Sequence, residues 1–116
     1  MDNEILNKCS EALENLRTKA PLTQCITNIV TVNDCANAVL AIGASPLMSN
    51  DETEQREIAR IDSSIVINIG TLTKNQIIGM FTSADEANKI GTPIILDPVG
   101  IGISADRKST RLNSSH

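Results

Sequence analysis

Aromatic side chains are almost missing: 116 residues contain one Phe, Phe81, and neither Tyr nor Trp. Single-stranded nucleic acids are held by stacking bases on such rings, so that mode of binding has no platform here. Basic charge is scarce as well, with 10 Lys and Arg against 14 Asp and Glu and a formal net charge of −4. Nonspecific nucleic-acid binding needs cations to displace counterions from phosphates, which an acidic chain does not supply. No apolar run approaches the ~20 residues that cross a bilayer. Nor does a basic segment precede an apolar one at the N-terminus, as a secretory signal requires. The three cysteines, Cys9, Cys25 and Cys35, are odd in number and form no C-x-x-C pair. That pattern fits free thiols in a reducing compartment better than a disulfide framework or a zinc site. A cytoplasmic protein is expected, with neither nucleic acid nor membrane among its partners.

What remains is an ordinary globular composition, 41% hydrophobic and 21% charged, of a length that fits one small domain or part of a larger one. The composition changes at Asp106. Residues 106–116 read Asp-Arg-Lys-Ser-Thr-Arg-Leu-Asn-Ser-Ser-His, with Leu112 the one apolar residue. This run resembles, at every position, the in-frame translation of a common short-read library adapter; the other reading is a natural basic, solvated tail. On the first reading the genuine domain is residues 1–105, and residues 106–116 are adapter read-through outside the fold. Setting aside Arg107, Lys108, Arg111 and Asp106 leaves 7 basic and 13 acidic residues. The single histidine, His116, goes with the tail, and so does any Ser-His-Asp or Cys-His constellation. The fold is then expected to be cut in its middle, marginal on its own and catalytically inactive.

Within residues 1–105 helices and strands alternate. Ile5, Leu6, Cys9, Ala12, Leu13 and Leu16 recur at helical spacing over residues 3–19, and Pro21 stops the run. A short stretch, Leu22–Asn28, which the pattern assigns to no element, precedes a helix capped by Asn33 and closed by Gly43. Ala44–Met48 reads as a short strand, and Asp51 with Glu54 resembles a capping box for a helix ending near Ile61. Ile65, Val66 and Ile67 make a strand over 64–68 that is buried on both faces, the mark of a parallel sheet. Thr73-Lys74-Asn75-Gln76 is a capping box opening a helix that Gly91 ends, and Pro93–Asp97 is another buried strand. The connections are short, and no internal repeat or linker interrupts them. An α/β fold of right-handed βαβ units with a parallel sheet follows.

In such sheets ligands sit outside the carboxyl ends of the strands. Asn68, Thr71 and Asp97 are polar residues directly after apolar runs, and Gly70, Gly100 and Gly102 would let backbone N–H groups come close to a ligand. A carboxylate placed like Asp97 can hold Mg2+ beside phosphates, or it can be a turn residue fixed by Pro98. Taken alone, Met48 reads as core filler and Asn28 as a loop residue. Gly100-Ile101-Gly102 is an incomplete dinucleotide fingerprint, and no Walker-type P-loop occurs. From the residues alone the reading stops at a parallel α/β domain for a phosphorylated or small polar ligand.

Four segments extend it. Cys25-Ile-Thr-Asn-Ile-Val-Thr-Val-Asn-Asp-Cys-Ala-Asn37, Ala41-Ile-Gly-Ala-Ser-Pro-Leu-Met48, Ile67-Asn-Ile-Gly-Thr-Leu72 and Ile95-Leu-Asp-Pro-Val-Gly100 together resemble the N-terminal part of the hydroxyethylthiazole kinase family, of the ribokinase-like superfamily. The similarity runs from about Pro21 to Ser104. It implies a truncated ribokinase-like fold and transfer of the ATP γ-phosphoryl group to the hydroxyl of 4-methyl-5-(2-hydroxyethyl)thiazole, a thiamine-salvage step. By resemblance Met48 matches the thiazole-binding methionine and Asn28 lies in the same pocket. Gly70 and Thr71 match positions near the reacting hydroxyl and the transferred phosphate, and Asp97 matches the carboxylate associated with Mg2+. The family's assembly is a homotrimer with the thiazole site at subunit contacts. Its glycine-rich anion hole, the residue beside the attacking hydroxyl and most ATP contacts lie C-terminal to these motifs, so no catalytic residue is assigned in this chain. Two alternatives stay open: a ribokinase-like kinase for another small alcohol, and a non-catalytic short paralogue that binds the thiazole.

Overall fold

The β-branched run Ile65-Val66-Ile67 forms the middle of a strand, β3 (Ser64–Asn68), in the computed structural model, which describes residues 3–100. Three more strands complete one sheet: β1 (Leu22–Ile26), β2 (Ser45–Leu47) and β4 (Ile94–Asp97). Their order is β2-β1-β3-β4 and every pairing is parallel, with Gln24 opposite Ile65 and Val66 opposite Ile95. The helices are α1 (Asn3–Lys19), α2 (Val32–Ile42), α3 (Gln55–Ile61) and α4 (Lys74–Ile90). The α/β fold with a parallel sheet is therefore the one its alternating pattern predicts.

Strand order fixes where the helices go. The chain moves one way across the sheet from β1 to β2 and the other way from β2 to β3 and β4. Right-handed crossovers then put α2 on one face and both α3 and α4 on the other. The core lies under α3 and α4, where Ile26, Ile65 and Ile67 of the sheet meet Ala59, Met80, Ala84 and Ala87. The opposite face is thinner: no described residue of α1 or α2 is buried. The expectation of strands buried on both faces needs correcting accordingly. In β3 fully and partly buried residues alternate, and in β4 Ile94 and Leu96 face the core while Ile95 is 60% exposed. Helices cover only one face of β4, so its apolar run is not matched by two-sided burial.

Three local readings also change. Leu22–Ile26, left unassigned by its pattern, is a central strand; Thr23 and Gln24 interrupt its apolar run, and Gln24 sits inside with Gln55 accepting from its amide. The second helix starts at Val32 behind Thr31 rather than at an Asn33 cap, because Asn28 Oδ1 accepts the N–H groups of Val30 and Thr31, each at 3.1 Å, and shapes the preceding turn. The Asp51/Glu54 capping box does not form. Asp51 accepts instead from the Thr53 N–H (2.9 Å) and hydroxyl (2.7 Å), Glu54 accepts from Ser49, and α3 begins at Gln55. The Thr73/Gln76 capping box forms in full, and Gly43 and Gly91 close their helices at φ of 104° and 81°. The boundary at residue 105 and the run 106–116 lie outside the described residues.

Asp62, which ends α3, is a liability of this packing. It is 7% exposed, neither carboxylate oxygen has a partner, and burial pushes its pKa up to about 7. The unfolded chain holds such a group near ~3.9. The folded state thus binds the proton more tightly, and the resulting stability is present below pH ~4 and is lost as pH rises to about 7. Asp62→Asn is expected to flatten this slope and to stabilise the fold at pH 8 by roughly 2 kcal/mol. Urea unfolding at pH 5 and pH 8 measures it, and an unchanged slope in the variant would contradict it.

Candidate functional site at the switch point of the sheet

Neighbouring strands β1 and β3 send their chains to opposite faces, β1 into α2 and β3 into α4. Where two such connections part, a crevice opens at the carboxyl end of the sheet. Asn28 stands two residues beyond β1, and its Nδ2 donates to Asn68 Oδ1 at 3.0 Å. Asn68 Oδ1 also accepts the Gly70 N–H at 2.8 Å, and Asn68 Nδ2 donates to Asp97 Oδ2 at 2.8 Å. One chain of amides thus joins the ends of β1, β3 and β4. Asn28 is buried and holds the following turn with its other atom, so its donor direction is set before any ligand arrives.

Gly70 lies against this chain. A Cβ there would meet Asn68 Oδ1 at 2.9 Å, Asn28 Nδ2 at 3.0 Å and Asn28 Cβ at 3.2 Å, so any side chain at this position has to displace the Asn28–Asn68 pair. Thr71 follows, and its Oγ1 accepts the Ile29 N–H at 3.0 Å, tying the β1–α2 connection to the β3–α4 connection. Beside them is a cleft of about 290 Å3 lined by Ile29, Asn50, Thr71, Leu72, Thr73, Asn75 and Gln76. Gln76 is buried under it; its Oε1 completes the helix cap, while its Nε2 donates to Thr27 O at 3.2 Å and to Asn50 Oδ1 at 3.5 Å. No Lys or Arg is among the described residues that line this cleft.

Of the predicted site residues, Asn28, Gly70, Thr71 and Asp97 are brought together. Met48 is not. It is half-buried one residue beyond β2, on the same edge of the sheet, but β1 separates it from β3; of the five, Thr71 alone lines the cleft, with Asn28, Gly70 and Asp97 in the hydrogen-bonded cluster beside it. Three residues go beyond the predicted set. Asn68 is visible in the sequence as a polar residue at a strand end, but its place as the hub depends on strand order. Gln76 shows only its capping half, and Asn50 carries no sequence signal. Among the described residues no group of three or more His, Cys, Asp or Glu could hold a metal unaided. Burial, with Cys35 and Asp62 adding to it, raises the pKa of the Cys25 thiol and keeps it protonated, so it is no nucleophile.

A doubly wound parallel sheet whose polar strand ends converge at the switch point is the α/β architecture in which small ligands generally bind at that crevice. The chain belongs to the hydroxyethylthiazole kinase family, whose model matches residues 13–114. It is 56% identical over 109 residues to a hydroxyethylthiazole kinase of Methanobrevibacter smithii, covering 94% of this chain and 38% of that one. A hydroxyethylthiazole kinase of Clostridium beijerinckii is 51% identical over 110 residues, covering 95% and 40%. Among solved structures, the hydroxyethylthiazole kinase protein of Pyrococcus horikoshii superposes with a TM-score of 0.84 at 44% identity, covering 90% of this chain and 41% of the other. The chain therefore spans about two fifths of the length of these relatives.

Proposed function

We propose that residues 1–105 are the N-terminal part of an ATP-dependent kinase that phosphorylates the hydroxyl of 4-methyl-5-(2-hydroxyethyl)thiazole in thiamine salvage, with residues 106–116 outside its fold. The observation that carries this is the Asn28–Asn68–Asp97 amide chain closed over by Gly70, set at the switch point of a chain that belongs to this family. The family match reaches residue 114, so genomic sequence rather than similarity decides the boundary at 105.

Phosphoryl transfer asks the protein for positioning and charge stabilisation. By resemblance Asn28 and Met48 would meet the thiazole ring, Asn28 through an amide already oriented by Asn68 and the following turn and Met48 through a polarizable thioether. By resemblance, the backbone at Gly70 and the Thr71 hydroxyl would lie near the substrate hydroxyl and the transferred phosphate. Asp97 is exposed, and Asn68 anchors one of its oxygens. That donor set fits Mg2+, which is held by one or two carboxylates together with phosphates and water. Asp97 would hold Mg2+, which would offset charge on the phosphoryl oxygens.

A homotrimer with the thiazole site at its contacts accounts for two further features. Met48 stands off the cleft, and Ile29 and Val30 beside it are each 79% exposed; a neighbouring subunit would cover both. No helix among the described residues is long and apolar enough to cross a membrane, and the three cysteines are free, which supports a place in the reducing cytoplasm.

Steady-state phosphorylation by the full-length protein with ATP and Mg2+ tests the reading. The thiazole alcohol is expected to exceed pyrimidine and pyridoxal-type alcohols by roughly 10²-fold or more in kcat/KM, the discrimination a site gains by hydrogen-bonding a substrate group. The 116-residue chain alone is expected to show no turnover. Turnover by that short chain, or preference for another alcohol, would contradict it.

A further inference from the structure

We propose that Gln55 is a positioning residue for the thiazole site, clamping the connection between β2 and α3 that carries Met48 and Asn50. This rests on the function proposed above. Gln55 opens α3 yet is 1% exposed, a costly place for an amide unless both of its polar atoms are used. They are. Its Oε1 accepts from Gln24 Nε2 of β1 and from Ser83 Oγ of α4, the latter at 3.0 Å. Its Nε2 donates to Asp51 O at 2.9 Å, with Ser49 O at 3.3 Å and Ser49 Oγ at 3.4 Å.

Packing α3 on α4 does not call for an amide; an apolar side chain of similar size would fill the space. The donor is needed by the connection, whose carbonyl groups have no ladder partner at this point. α4 is shaped to seat the clamp: a Cβ at Gly79 would come within 3.1 Å of Gln55 Cγ, and Ser83 lies one turn further on. The same connection delivers Asn50 to the cleft wall, where it accepts from Gln76. Gln55 thus holds from below what Gln76 holds from the cleft side. It links the position of Met48 and Asn50 to the rigid pair β1 and α4 without touching a ligand itself.

The test uses the full-length kinase. Gln55→Glu keeps the acceptor for Gln24 and Ser83 but sets a carboxylate against the carbonyls of Ser49 and Asp51, releasing the connection. The expected result is a rise of about tenfold in KM for the thiazole alcohol, equivalent to ~1.4 kcal/mol, with KM for ATP within twofold. Gln55→Met, which keeps length and volume without any polar atom, is expected to move the same constant in the same direction and serves should the glutamate variant not fold. Glu86→Gln, which weakens the ion pairs of α3 with α4 away from the connection, supplies the purely structural control and should leave both constants within twofold. Unchanged thiazole KM, or parallel changes in both constants, overturns the proposal. Amide hydrogen exchange over residues 49–54 separates it from the function it rests on: faster exchange in Gln55→Glu upholds the clamp even if wild-type protein does not phosphorylate the thiazole. Unchanged exchange overturns the clamp whatever the substrate.

Discussion

Replacing Gly70 with alanine in the full-length kinase is expected to lower kcat/KM for the thiazole alcohol by roughly 10- to 100-fold. The added methyl carbon would stand 2.9 Å from Asn68 Oδ1 and 3.0 Å from Asn28 Nδ2, and neither amide is free to withdraw. Asn68 is held by Asp97 and by the Gly70 N–H, and Asn28 is held by the turn that leads into α2. Relief therefore has to shift the Asn28–Asn68–Asp97 chain as a unit, displacing the Asn28 amide and the Asp97 carboxylate together. Overpacking of this kind costs about 1–3 kcal/mol, and each 1.36 kcal/mol felt in the transition state is tenfold in rate. Steady-state kinetics alongside thermal unfolding separates the two ways that cost can fall. Wild-type kcat/KM in a folded variant would show that the close approach at Gly70 does not serve the reaction.

Asp97→Asn has the other large expected effect, a fall in kcat of roughly 10²- to 10³-fold, the range found when one preorganised charge stabiliser is removed. The substitution is chosen for its shape. An asparagine oxygen can still accept from Asn68 Nδ2, so the amide chain is kept while the negative charge is lost. The Mg2+ concentration for half-maximal rate is expected to rise in this variant and to stay unchanged in Gly70→Ala, so a Mg2+ titration of initial rates tells the two defects apart. Full activity at ordinary Mg2+ would reduce Asp97 to a turn residue whose backbone carbonyl accepts from Ile69 and Val99.

Periodicity and glycine stops are local signals, and they located the elements that local forces decide. The helix over residues 3–19, the strand over 64–68 and the helix behind the Thr73 capping box lie where their patterns put them. The starts of α2 and α3 were not legible, because Asn28 and Asp51 spend their side-chain oxygens on turns in place of helix caps. β1 was not legible as a central strand, because the polar Gln24 is admitted to the interior only by a partner 31 residues away. The site divides in the same way. Asn28, Gly70, Thr71 and Asp97 were readable as polar or glycine positions at strand ends, and parallel pairing gathers them. The hub role of Asn68 needs strand order, and the roles of Gln55 and Gln76 need to know which loops they face. Met48 stands apart from the cleft because β2, which carries it, is separated from β3 by β1.

The account is tested most directly by a long genomic read across the codons for residues 95–116. The reading frame is expected to continue past Ala105 without the codons for Asp106–His116. It should run on through about the remaining three fifths of the length of its relatives. A genome that encodes Asp106–His116 followed by a stop would contradict it; the chain would then be a short member of the family, with thiazole binding without turnover as its activity to test.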